Sequence, residues 1–256
     1  MNTERKSGSG LQGMRALVTG GAGGLGAEIT RLLASQGATV MISYCTNCQA
    51  AENLRDELTA CGSRIYLHGA DITCESEVES LVNACRDCMG GLDILVNNAG
   101  VPGPQKKIEN ISSIEWRHVL EVNLTGPFLV LRAAIPELRK SSHGRVINIG
   151  SVSGQIGERG LSPYCSAKGG LALLTKTAAM ELAGQGITVN LIAPGYIDAG
   201  MTRKELSEEI RPLLLKRVPG RRFGTAAEVA AAVAHLAALE SSYINGQIIG
   251  VNGGVC

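Results

Sequence analysis

The residues with the clearest chemical potential are Ser151, Tyr164 and Lys168. Tyr164 and Lys168 stand four positions apart, so on a helix they share one face, one turn apart. Ser151 follows an apolar, β-like run, Arg145-Val-Ile-Asn-Ile-Gly150, and precedes the tyrosine by thirteen residues. A hydroxyl, a phenol and an ammonium brought together can bind a carbonyl oxygen and hand it a proton. The Tyr–Lys pair is weak evidence by itself, because many solvated helix faces carry one. A glycine-rich turn near the N-terminus gives it weight.

That turn is Gly20-Gly-Ala-Gly-Gly-Leu-Gly26. A short apolar strand, Arg15–Thr19, leads into it. A helix from about Leu25 to Gln36 leads out, with Ile29, Leu32 and Leu33 at helical spacing. Gly37 closes that helix and Ala38–Ser43 reads as a second strand. A strand, a glycine turn, a helix and a strand are the setting for dinucleotide binding. Gly20, Gly24 and Gly26 let backbone N–H groups approach a pyrophosphate at a helix N-terminus, whose dipole favours the anion. The spacing, Gly-x3-Gly-x-Gly, departs from the usual GxGxxG.

The alternation then repeats. Helical stretches at about 49–61, 75–89, 112–140, 163–183 and 226–239 separate strands at 64–68, 93–96, 145–149, 187–193 and 247–251. This predicts an α/β fold: a single Rossmann-type, doubly wound parallel sheet of about seven strands, flanked by helices on both faces. Residues 1–13 are polar and Gly/Ser-rich and read as a flexible leader; no compositional break follows, so 14–256 reads as one domain.

Composition narrows the function classes. Of 256 residues, 45% are hydrophobic and 18% charged, enough apolar material for a large core. The net charge is +1 with no basic tract, which gives nucleic-acid or membrane-surface binding no electrostatic support. No long apolar span or signal peptide is read, and the expected location is the cytoplasm. Cys45/Cys48 and Cys85/Cys88 have a spacing that zinc ribbons use. Cys85 and Cys88 fall in a helical pattern with Val78, Leu81 and Val82, where Cys behaves as a small apolar residue, so no metal is expected.

From Leu11 onward the chain resembles the short-chain dehydrogenase/reductase family. The motifs are T-G-G-A-G-G-L-G (19–26), Asp71 after the third strand, N-N-A-G (97–100), Asn123 in V-N-L-T-G, Ser151, Y-C-S-A-K (164–168) and P-G (194–195). Within the family it looks most like the 3-oxoacyl-carrier-protein reductase branch. The resemblance implies an NAD(P)-dependent oxidoreductase in which Tyr164 is the general acid for carbonyl reduction. Ser151 would hold the substrate oxygen, and Lys168 would favour the phenolate and bind the nicotinamide ribose. Asn123 would anchor a water that leads from Lys168 to solvent; its plainer role is a buried Asn that satisfies helix backbone. For the cofactor the resemblance implies Gly20, Gly23, Gly24, Leu25 and Gly26 on the pyrophosphate side and Tyr44 after the second strand. Asp71 and Ile72 would meet the adenine, and Asn97, Ala99 and Gly100 the adenosine and ribose. Pro194, Gly195 and Ile197 would lie at the nicotinamide. Asp71 could equally be an N-cap for the next helix.

Departures from the family pattern set the details. Between Glu28 and Glu52 there is no Asp or Glu, and Tyr44 sits where an NAD-selecting acid would be. This favours NADP(H) over NAD(H). Against it, Gly23 stands where many NADP-using relatives carry Arg; Ser43, Thr46 and Asn47 remain as donors. Two basic positions used to dock acyl carrier protein are Ser142 and Gln185 here, with Arg132, Arg139, Lys140 and Arg145 as possible compensation. Ala199 replaces a Thr that helps to hold the carboxamide in many relatives. Tyr196–Phe223, with Met201, Leu206, Ile210 and Leu213–Leu215, reads as a lid. The expected function is reduction of a 3-oxoacyl thioester or related β-keto compound. The alternatives are a dehydrogenase of a small secondary alcohol or sugar, and a non-catalytic nucleotide-binding regulator. The resemblance implies a homotetramer with paired copies of the Ala-rich helix 226–239 and of the Tyr164–Lys168 helix, which is similarly rich in Ala and Leu.

Overall fold

A computed structural model describes residues 10–200 and 210–256. Seven strands form one sheet: β1 (Arg15–Thr19), β2 (Thr39–Tyr44), β3 (Ile65–Gly69), β4 (Ile94–Asn97), β5 (Arg145–Ile149), β6 (Thr188–Pro194) and β7 (Ile248–Val251). Their order is β3-β2-β1-β4-β5-β6-β7, and every neighbouring pair is parallel. The helices are α1 (Gly24–Ser35), α2 (Cys48–Ala60), α3 (Glu75–Met89), α4 (Ser113–Leu120), α5 (Gly126–Leu138), α6 (Ser153–Ile156), α7 (Ser162–Leu182), α8 (Arg211–Leu215) and α9 (Ala226–Ala237). The strand order reverses between β1 and β4, which opens a crevice at the carboxyl ends of the strands.

Side chains alternate along each strand, so one sheet supplies two cores. Ala16 and Val18 join Ile29 and Leu33 of α1 and Val229 and Val233 of α9. Leu17 between them points the other way, to Leu81 of α3 and Val130 and Leu138 of α5. Burial on both faces is why the central strands read as unbroken apolar runs. Leu11, inside the stretch read as a leader, is buried in the first of these cores. Cys85 is buried on α3, and burial pushes its thiol up to about 12.

Two expectations change. The helical stretch at 112–140 is broken: a π-helical turn, Glu121–Thr125, joins α4 to α5. A capping box between Ser112 and Glu115 starts α4. Pro127 supplies a reason for the break, because it lacks the N–H that would bond the Asn123 carbonyl in an α-helix. This stretch, Ser113–Leu138, is also long and apolar enough to cross a membrane by length and composition alone, a span not singled out above. Here α5 packs on α3 and α4 packs on α7. The second change concerns α9. Its Val229, Val233 and Leu236 are buried between α1 and the sheet, which leaves only small or polar Ala227, Glu228, Ala231 and His235 exposed. On α7, the other helix expected to pair, Leu173 and Met180 are large, apolar and exposed.

Candidate active site

Pro163 opens the first turn of α7, where its missing N–H costs nothing, and Tyr164 follows it. One turn on, Lys168 places its Nζ 5.7 Å from the centre of the Tyr164 ring. Lys168 is buried, and its Nζ donates to the Ile149 carbonyl at 2.9 Å. That bond ties α7 to the last residue of β5, two residues before Ser151. Burial pushes the ammonium down to about 8. Ser151 lines one cavity with Tyr164, and its Oγ accepts from the Ser153 N–H at 3.1 Å.

Asn123 sits in the π-helical turn, fully buried. Its Nδ2 donates to the Val101 and Val119 carbonyls, both at 3.0 Å, and its Oδ1 accepts from the Val101 N–H at 3.3 Å. The Val119 bond is the helix-backbone role foreseen for a buried Asn. Gly100 shows how closely the groups converge. A Cβ there would lie 2.7 Å from Asn123 Oδ1 and 3.7 Å from Lys168 Nζ. Ser151, Tyr164, Lys168 and Asn123 therefore meet at the carboxyl end of the sheet.

Two chains of hydrogen bonds brace this group; of their members Asn97 and Ala99 were expected site residues, while Asn148, Thr175, Thr19 and Asn98 were not. Asn97 Nδ2 donates to Asn148 Oδ1 at 3.0 Å, and Asn148 Nδ2 donates to Thr175 Oγ1 at 2.8 Å. This buried chain links β4, β5 and α7. Thr19 and Asn98 do the same for the glycine turn. Thr19 Oγ1 accepts from the N–H groups of Asn98 and Ala99, while Asn98 Nδ2 donates to the Thr19 and Gly20 carbonyls. The signal available in sequence was a lone polar residue in each apolar run.

The glycine turn forms a cradle that side chains would fill. Gly20 and Gly24 take positive φ, +60° and +53°. A Cβ on Gly26 would stand 2.1 Å from the Gly20 carbonyl oxygen, and one on Gly24 would stand 2.9 Å from Gly200 Cα. Gly23 is the N-cap of α1 and offers no side-chain acceptor, so the first N–H groups of Gly24, Leu25 and Gly26 stay available to an anion. Space at Gly23 is open, with nothing within 4 Å of a built Cβ.

The remaining expected cofactor residues divide into surface and frame. Tyr44 ends β2 half-buried, and its hydroxyl accepts from Cys48 Sγ at 3.3 Å. Asp71 is half-buried; one carboxylate oxygen accepts from the Thr73 N–H and hydroxyl. It does not cap α3, whose N-cap is Cys74. Ala99 and Gly100 continue from β4, and Pro194 and Gly195 close β6, where Gly195 N–H donates to Val251. Ile72, Asn97 and Ile197 are buried; Ile197 packs in the core and Asn97 binds Asn148, so their side chains belong to the frame. Ser43 is buried too, which leaves Thr46 and Asn47 as exposed donors near β2. Of the lid, Met201 and Leu206 lie outside the described residues; Ile210, α8 and Phe223 follow them. The uncapped α1 terminus, the cradle and the acid-free end of β2 fit a dinucleotide.

Comparison with known proteins agrees with this geometry. Residues 20–256 match the family described as enoyl-(acyl carrier protein) reductase. Nodulation protein G of a Rhizobium species is 42% identical over 96% of this chain and 98% of its own length. The 3-oxoacyl-[acyl-carrier-protein] reductase FabG of Escherichia coli is 41% identical over the same shares. Among solved structures, levodione reductase superposes with a TM-score of 0.91 at 32% identity, covering 95% of this chain and 97% of that one. A variant of actinorhodin polyketide ketoreductase with NADPH gives 0.90 at 33% identity, covering 94% and 97%. The chain belongs to the short-chain dehydrogenase/reductase family. It is an oxidoreductase of that family.

Proposed function

We propose that this protein is an NADPH-dependent ketoreductase that reduces a 3-oxoacyl thioester or related β-keto compound to the 3-hydroxy product. The observation that carries this reading is the buried Lys168 ammonium beside the Tyr164 ring, with Ser151 on the same cavity. When bound, the nicotinamide nucleotide supplies the hydride. Ser151 Oγ holds the substrate oxygen by a hydrogen bond. Tyr164 hands its phenolic proton to that oxygen, and the Lys168 charge favours the phenolate left behind. Lys168 also takes the nicotinamide ribose hydroxyls, and Asn123 holds a water through which the tyrosine is reprotonated. Residues 14–256 act as one catalytic domain, in the cytoplasm; all eight cysteines are unpaired, which suits a reducing compartment.

NADP(H) is preferred because no acid stands at the end of β2 to repel a 2′-phosphate. The ketoreductase with NADPH among the similar structures supports the same choice. With acetoacetyl thioester as substrate, kcat/KM for NADPH is expected to exceed that for NADH about tenfold or more, a difference of roughly 1.4 kcal/mol. Better turnover with NADH would sink the preference.

The FabG relatives support a thioester; the surface favours a second reading, a small free carbonyl compound. The basic residues that could replace Ser142 and Gln185 are already engaged. Arg132 pairs with Glu75, Lys140 pairs with Glu137 at 2.7 Å, and Arg139 bonds Gln185. Arg145 is buried. Among the described residues, only Arg139 of these four, bonded to a neutral amide, keeps an exposed and unpaired charge for an acidic carrier.

Assembly follows from α7. Leu173 and Met180, seven residues apart and so on one helix face, are 67% and 83% exposed. They supply an apolar face for a second copy, within a homotetramer. Light scattering at micromolar concentration is expected to give a multiple of the 26.7 kDa chain mass. A monomer mass would contradict it.

A further inference from the structure

The cavity beside Ser151 and Tyr164 has a volume of about 280 Å³, and its wall carries a carboxylate that the reaction does not use. Glu158 stands on the loop between α6 and α7 and lines this cavity. One of its oxygens accepts from Ser153 Oγ at 2.9 Å and the other from Tyr196 Oη at 3.0 Å. Tyr196 lies on the loop after β6, with its ring edge-on to Phe223 at 6.3 Å. Burial, and then the Glu158 charge, push the Tyr196 phenol up, against the opposing Arg217; it stays a donor. Donors from the start of α6 and from the loop after β6 thus fix the carboxylate in the wall. A carboxylate has about four acceptor positions, and these two bonds leave others open.

We infer that Glu158 determines specificity by accepting a hydrogen bond from a substrate hydroxyl, so that the substrate is a polar oxo compound with a hydroxyl beyond the carbonyl that is reduced. This rests on the reading that Ser151 and Tyr164 hold the carbonyl, and extends it to the rest of the substrate. A purely hydrocarbon tail would displace water from Glu158 and return no donor, which is costly for an ionised group. Arg159 decides between kinds of donor. It lines the same cavity, and among the described residues it has no ion-pair partner. A hydroxyl can donate to Glu158 and accept from Arg159, whereas an ammonium would meet a like charge.

The test uses the full-length protein with NADPH and two matched pairs of esters. Each pair differs only by a hydroxyl in place of a methyl: ethyl 4-hydroxy-3-oxobutanoate with ethyl 3-oxopentanoate, and ethyl 6-hydroxy-3-oxohexanoate with ethyl 3-oxoheptanoate. The parent is expected to favour the hydroxyl member of at least one pair about tenfold or more in kcat/KM, the range for a hydrogen bond to a charged group. Glu158→Met should bring that ratio below about threefold, and Glu158→Gln, which keeps an uncharged acceptor, should fall between. If the Met variant does not fold, the Gln variant decides. A merely structural role would slow both members together and leave the ratio unmoved. A ratio near one in the parent for both pairs, or a ratio unchanged in the folded variant, overturns the inference alone. Reduction of none of the four esters with NADPH or NADH overturns the ketoreductase reading, and this inference with it.

Discussion

Tyr164→Phe is expected to lower kcat for carbonyl reduction by at least 10²–10⁴-fold, roughly the range that general acid catalysis contributes. The substitution removes one oxygen. The phenyl ring keeps its place in the first turn of α7 and its contact with the Lys168 ammonium. Lys168 keeps its bond to the Ile149 carbonyl, so the helix stays tied to β5. Fold and cofactor affinity should therefore change little. Steady-state turnover, nucleotide titration and circular dichroism on the same preparation separate the three quantities. If the variant kept most of its activity on a substrate that the parent reduces, the proton would come from elsewhere, and the family membership would fix only the fold.

Lys168→Met should also abolish most turnover, but with a signature in stability that Tyr164→Phe lacks. The folded Lys168 has its pKa pushed down to about 8 by burial, from an ordinary 10.5. Between those values the unfolded chain holds a proton that the folded chain has lost. Stability of the parent therefore rises as pH climbs from about 8 towards 10.5, and the full burial cost is felt below 8. At 1.36 kcal/mol per pH unit that cost is about 3 kcal/mol. The methionine escapes it but leaves the Ile149 carbonyl without its donor, at about 1–3 kcal/mol. The two effects nearly offset near pH 7. The pH dependence does not cancel: the Tm difference, variant minus parent, should be level below about pH 8 and fall from there to about pH 10 in the absence of nucleotide. A flat difference would show that Lys168 does not lose its proton on folding in that range.

The order of strands and helices was readable because burial on both faces writes each central strand as a short apolar run, and each helix as a 3.6-residue stripe. The Tyr164–Lys168 pair was readable because a helix converts a spacing of four into a shared face. The braces were not. Asn148 and Thr175 meet across 27 positions of sequence, and Thr19 reaches Asn98 across 79. No local spacing encodes such a pair; the sheet order creates it. Glu158, in a loop with Gly157 and Gly160, looks like a solvated charge until Ser153 and Tyr196 are seen to hold it. The apolar surplus of α9 was ambiguous for a related reason. An Ala-rich helix serves equally well to pack closely within one chain as between two, and here α1 takes it up.

The π-helical turn at Glu121–Thr125 has a consequence for sequence change over time. Such a turn is an α-helix that has absorbed one additional residue. An α-helical residue advances about 100° around the axis. Losing a single residue between Leu120 and Gly126 would heal the helix and give a more regular hydrogen-bond ladder. It would also swing α4 by roughly a quarter turn or more relative to α5, and with it the Asn123 side chain that now meets Val101 and Gly100. Whole-turn insertions of three or four residues keep the facing of a helix; single-residue ones do not. The length of this segment is thus held by the direction in which one asparagine must point, and a shortened lineage could keep the scaffold while giving up the site.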